Sequence, residues 1–198
     1  MARSKRSRKG RDLNRILYVL IPVIALATVG AVYALTSLPV ATVPAAVNYQ
    51  FSILIQVNNK TGTGVHNIAP AYPIGEVGGF WINHTLDSYS VDSQHSPLYM
   101  DPPGISCQTQ DDSCTIHVKS RASHVFTLGD FFGVWGKALG QNKTVDIPRN
   151  GDFAWEMCIG AGRPAIPTTA WGALPLQANM YIQLVYYDTI HGYGCSAA

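Results

Sequence analysis

The chain has 198 residues with 14 basic and 12 acidic side chains, and 47% of it is hydrophobic, which allows one folded domain or two. Half of the cations (Arg3, Lys5, Arg6, Arg8, Lys9, Arg11 and Arg15) fall in the first 15 positions, beside the single acid Asp12. From Ile16 onward seven basic and eleven acidic residues remain, a net charge of −4, so the overall +2 describes neither part and argues against a nucleic-acid-binding body.

The basic tail, residues 1–15, leads into "ILYVLIPVIALATVGAVYALTSL", residues 16–38, 23 positions without a charge. As a helix this run is about 35 Å long, enough to cross a hydrocarbon core of about 30 Å with some tilt. It exceeds the apolar core of a secretory signal, so the expectation is an uncleaved transmembrane anchor, with a cleaved signal as the alternative. Pro22 stands near the first turn, where a helix tolerates it. Seven cations before the span predict a cytoplasmic N-terminus and an extracytoplasmic remainder in the cell membrane.

Residues 39–47, "PVATVPAAV", read as a short stiff stalk, and residues 48–198 as the extracytoplasmic domain. "YQFSILIQV", residues 49–57, alternates and is rich in β-branched residues, a strand; "NNKTGTG" is a turn. "GGFWINHTL", residues 78–86, reads as a short strand, and the proline-rich residues 87–113 as a long loop. "TIHVKS", residues 115–120, sets Ile116 and Val118 against His117 and Lys119, a half-buried strand that "HVFTL" continues. "DFAWEMCI", residues 152–159, is another strand, residues 162–175 are loop, and "MYIQLVYY", residues 180–187, is the last strand. Short strands and many turns predict a mainly β domain, an antiparallel sandwich or partly open barrel.

One segment breaks that pattern. In "TLGDFFGVWG" Thr127 and Asp130 have capping-box spacing, and Leu128, Phe131, Phe132, Trp135 and Leu139 recur at helical spacing. This predicts one short capped helix near residues 128–139, stopped by Gly136 or Gly140. Its aromatic face serves either as core or, if Phe131, Phe132 and Trp135 are exposed, as a surface that docks another subunit.

Two features agree with translocation. The sequons at Asn59, Asn83 and Asn142 predict glycosylation sites. Cys107, Cys114, Cys158 and Cys195 all follow the anchor, and four cysteines allow three pairings; Cys107–Cys114 with Cys158–Cys195 is the favoured one.

No hydrolase, metalloprotease, P-loop or dinucleotide motif is present, so an enzyme is not expected, and no cofactor is. Histidines at 66, 84, 95, 117, 124 and 191, with Met100, Met157 and Met180, raise the alternative of a copper-handling or redox protein. Its ligands would come from His117, His124, His95 and Met100, or Met157 and Cys158, although their spacing matches no metal motif. A third reading is a cell-envelope or filament subunit, against which the polar residues between Lys9-Gly10 and the apolar run count.

"CQTQDDSCTIHVKS", residues 107–120, with "FTLGDFFGVWG", residues 126–136, and "GFWINHTLDSY", residues 79–89, resembles an uncharacterised family of secreted or membrane-anchored proteins of archaea, ammonia-oxidising archaea among them, and of some bacteria. The likeness spans about residues 48–140. Members carry His-Thr-His-Asp where this chain has Gln108-Thr109-Gln110-Asp111, and histidines where it has Gln50 and Ser52. The resemblance therefore implies a retained fold whose histidine cluster is depleted, and glutamine is a poor ligand for transition metals. It implies a non-catalytic accessory or docking subunit of a larger membrane complex, held there by the membrane span and by contacts with the other subunits.

Overall fold

The computed structural model describes residues 45–58, 65–103, 107, 113–160, 166–190 and 194. The chain divides into residues 1–41 and 42–198, and the described residues belong to the second unit. The basic tail, the predicted anchor at 16–38 and most of the stalk lie outside the described residues; among the described residues no helix is long and apolar enough to cross a membrane.

The domain is mainly β. Among the described residues ten strands form in chain order: β1 Val47–Asn58, β2 Val65–Asn67, β3 Ile74–Glu76, β4 His95–Met100, β5 Cys114–Ser120, β6 Lys143–Thr144, β7 Ile147–Pro148, β8 Phe153–Ile159, β9 Ile166–Thr168 and β10 Tyr181–Asp188. Eight belong to one sheet in the order β3-β4-β5-β1-β10-β8-β9, with β2 also on β1, and β6–β7 is a separate ribbon. The sheet is mixed rather than antiparallel. β1 pairs with β5 antiparallel (Phe51 opposite Ile116) but with β10 in parallel (Ile53 opposite Ile182). A parallel neighbour requires a long crossover, and here nearly the whole domain is that crossover. Alternation identifies a strand and its two faces; it carries no information about which strand lies alongside.

Alternation does set the core. Phe51, Ile53 and Ile55 of β1, Ile116 and Val118 of β5, Trp155 and Met157 of β8, and Ile182 and Leu184 of β10 are all buried on one face. The helix, α1 (Leu128–Trp135), covers that inner face. Its box closes as the spacing predicts. The Asp130 amide donates to Thr127 Oγ1 at 3.2 Å, and the Thr127 amide donates to Asp130 Oδ2 at 2.9 Å. Gly136 ends it at φ +74, a left-handed cap that costs glycine little. The helix therefore stops at Trp135, short of residue 139.

Phe131, Phe132 and Trp135 are 1%, 1% and 4% exposed. They are core, and the expectation of an aromatic docking surface on this helix is corrected. The apolar inner face of the sheet needs a covering layer, and this helix supplies it.

Other local expectations also change. The first strand starts at Val47, the last residue of the predicted stalk and two before the predicted strand start, because Ala46 already donates to the Ser120 carbonyl at 2.7 Å. Residues 78–86 hold only an isolated bridge at Phe80, and residues 124–128 only one at Thr127. β4 lies within the segment read as a long loop, and β9 within the loop after 162.

Candidate functional site

The opposite face of β3, β4 and β5 carries a chain of titratable side chains. A bulge builds it. Gly75 adopts φ +69, and a Cβ there would collide with the Leu98 carbonyl, so only glycine fits. The β3–β4 register shifts at this point, which brings Glu76 opposite His95. Next in the sheet, Tyr99 faces His117 across the β4–β5 ladder, and His117 faces Gln50 across the β5–β1 ladder.

His95 Nδ1 lies 3.0 Å from Asp92 Oδ1, and His95 Nε2 lies 3.6 Å from Glu76 Oε1. The Glu76 carboxyl neighbours that of Asp101, and Asp101 Oδ2 lies 3.3 Å from His117 Nε2. Tyr99 is sandwiched between the imidazoles, with centroids 4.7 Å from His95 and 5.0 Å from His117, the latter nearly parallel at 18°. The side chains are partly open to solvent, from 12% at Asp92 to 35% at His95 and Asp101.

Electrostatics differ along this chain. Burial raises the Glu76 carboxyl above its ordinary value; the hydrogen bond to Asp101 and that neighbour's charge raise it further, and His95 opposes them. At Asp92 burial also pushes upward, but hydrogen bonds from the Gln94 and His95 amides and the His95 ring outweigh it and hold the carboxyl low. Burial, then the charges of Asp101, Asp92 and Glu76, push the Tyr99 hydroxyl up. Two carboxyls of opposite shift thus flank one imidazole, Glu76 held above its ordinary value and Asp92 below.

The proposed copper ligands are not brought together. His95 and His117 share this face, but Met100 is fully buried on the inner side of β4. His124 stacks on Tyr89 at 4.4 Å and meets Phe126 at 4.8 Å. Met157 is also core. Among the described residues no group of three or more His, Cys, Asp or Glu side chains is arranged to hold a metal ion. Glu76 and Asp101 were not joined to the histidines by sequence reasoning because each lies in a short edge strand or loop, far in sequence from His95 or His117; the only local signal was the Asp92/His95 spacing.

Cys107 and Cys114 form a disulfide and an isolated backbone bridge. Cys158 is a disulfide cysteine, whereas Cys195 lies outside the described residues. Asn83 and Asn142 are exposed, and the Asn83 side chain accepts from the Thr85 amide at 2.9 Å. Thr144 of the third sequon is buried and donates to the Gly140 carbonyl at 2.9 Å. Asn59, Gln108, Gln110 and Asp111 lie outside the described residues.

No family model, no curated protein and no solved structure matches this chain.

Proposed function

We propose that the chain is a single-pass membrane-anchored subunit, with its N-terminus in the cytoplasm, whose extracytoplasmic domain docks without catalysis onto a larger membrane complex. The docking face is the histidine–carboxylate face of β3–β5, not the aromatic helix. One observation carries this reading: Asp92, His95, Glu76, Asp101 and His117 form a continuous chain around Tyr99 on a partly exposed face. Three of the domain's eleven acids after Ile16 are spent there, in a region otherwise poor in charge. Tyrosine is favoured at interfaces, and paired charges fix register and partner choice more than raw affinity.

The anchor reading rests on the uncharged run at 16–38 and the seven cations before it. The Cys107–Cys114 disulfide suits an oxidising compartment. Exposed Asn83 and Asn142 are then the sites for glycans. We read the sheet as a partly open barrel: α1 touches β3 and β4 at one edge and the turn Trp171–Ala173, which follows β9, at the other. The sequence resemblance favours an archaeal energy-metabolism complex as the partner.

The test is to extract the protein from its native membrane in mild detergent and measure the mass of the particle that carries it. Docking predicts a particle of several hundred kilodaltons with constant companions. Replacing His95, Tyr99 and His117 together by alanine should release the domain while its circular dichroism stays native. A wild-type particle of monomer mass would overturn the docking reading.

A further inference from the structure

A groove of about 480 Å³ opens beside β8 and β9, at the opposite end of the sheet from β3 and β4, and falls within the size range of small-ligand sites. Its lining joins aromatic rings to balanced polar groups. Trp171 and Tyr187 both line it and are partly exposed. Among the described residues Arg149 is the one cation of the lining and Glu156 the one anion, so the groove has no net charge. Arg149 can only donate hydrogen bonds, and a Glu156 carboxylate can only accept them. Two threonines of the lining divide the same way. Thr189 Oγ1 donates to the Asp152 carbonyl at 2.7 Å, so its lone pairs are left to accept. Thr168 Oγ1 accepts from the Ala170 amide at 3.3 Å, so its proton is left to give.

That set selects a ligand class. A charged ligand gains little where a cation and an anion already match, and an apolar ligand would strip water from groups it cannot replace. A ring of hydroxyls, each giving one proton and accepting two, serves both kinds. The Tyr187 hydroxyl belongs to the same group: burial raises it above its ordinary value, Glu156 raises it further and Arg149 opposes, so it stays protonated as a donor. The aromatic wall is also held in place. Trp171 has φ +43, strained for a bulky side chain. Its turn is clamped to α1: the Leu128 amide donates to the Leu174 carbonyl at 2.9 Å, and a Cβ on Gly129 would collide with the Gly172 carbonyl. Strain of this kind persists where the surroundings over-determine it, as at ligand sites.

We propose that this groove binds a neutral saccharide, which sets a C–H face of its ring on Trp171 and bridges Arg149, Glu156, Thr168 and Thr189 with its hydroxyls. An aromatic face is electron-rich and attracts the weakly positive C–H groups of a sugar ring. The saccharide is free or polymeric, or it is the glycan of a glycoprotein. The groove and the His95–His117 face lie at opposite ends of the sheet, so failure of either leaves the other untouched.

The test is calorimetric titration of the full chain in a polyoxyethylene detergent, which has no sugar headgroup to compete. The probes are neutral trisaccharides of glucose, mannose and N-acetylglucosamine, each free and as its asparagine conjugate, with sorbitol, glycine betaine and acetate as controls. A trisaccharide should bind where the controls do not, with the same affinity at low and high salt because the ligand is uncharged. Tighter binding of the conjugate names a glycoprotein as the source, and otherwise the source is a free or polymeric saccharide. Trp171→Gly removes the ring and suits φ +43, and Arg149→Gln alters an exposed side chain, so both variants should fold, which circular dichroism checks. Each should weaken binding about tenfold or more, the effect of losing an aromatic contact or a hydrogen bond to a charged group. Arg149→Gln decides alone if the glycine variant loses its fold. The idea is overturned if no trisaccharide binds at millimolar concentration, if a control binds as well, or if a folded variant keeps full affinity.

Discussion

Phe131 of the helix stands edge-on to Phe51 of the central strand, with ring centroids 6.2 Å apart and planes at 87°. This contact joins the helix to the middle of the sheet, and it has the geometry that aromatic quadrupoles favour. Phe132 and Trp135 extend the aromatic group, with centroids 5.8 and 6.3 Å from Phe131.

Phe131→Ala should therefore cost about 3–5 kcal/mol, the range for emptying a buried phenylalanine site. Phe131→Asp should unfold the domain outright, since it buries an unpaired charge. Urea denaturation followed by circular dichroism checks both. A folded Phe131→Asp domain that loses only a partner would contradict the burial described here.

The Glu76 carboxyl is raised, so the native state holds that proton more tightly than the unfolded chain does. Its stabilising contribution is complete below the ordinary carboxyl value and is lost as pH rises through the raised value. Asp92 has the opposite sign: its contribution is present above the ordinary carboxyl value and is lost as pH falls through the depressed one. Glu76→Gln removes the cost of ionising Glu76, so its stability relative to wild type should improve from pH 4 to pH 7. Denaturation midpoints at the two pH values test this, and an equal effect at both would show that Glu76 does not titrate on folding.

Gly75→Ala should destabilise by more than about 1 kcal/mol, since φ +69 and the Leu98 carbonyl both exclude a Cβ. The bulge at Gly75 sets Glu76 opposite His95, so the same variant should also flatten the acid-side pH dependence that Glu76 provides. Loss of stability with an unchanged pH profile would separate the bulge from the proton network.

The Cys107–Cys114 bridge closes a sequence separation of seven. Replacing both cysteines by serine should cost about 2–3 kcal/mol on a chain-entropy account. The change should loosen the start of β5 before it reaches the helix, and hydrogen exchange at Ile116 and Val118 compared with Phe132 reads that order. Uniform loss of protection would mean that the bridge supports the whole domain.

The capping box at Thr127 and Asp130, the helical recurrence from Leu128 to Trp135 and the alternation in β1, β5, β8 and β10 were all legible in the sequence, because each depends on neighbours within a few positions. The Cys107–Cys114 pair was legible for the same reason of short separation. β3, β4 and β9 were not, since three to six residues with proline or glycine among them have no clear period; their partners make them strands.

Local chemistry thus determined which segments are elements and which of their faces are apolar. Tertiary structure alone decided that β10 lies parallel to β1, that Phe131, Phe132 and Trp135 face the sheet rather than solvent, and that Asp92, His95, Glu76, Asp101 and His117 meet around Tyr99. The physical reason is the same in each case. A side-chain period fixes direction relative to the residue's own backbone, whereas strand order, layer and side-chain clusters depend on which distant segment comes alongside, and no local pattern encodes that.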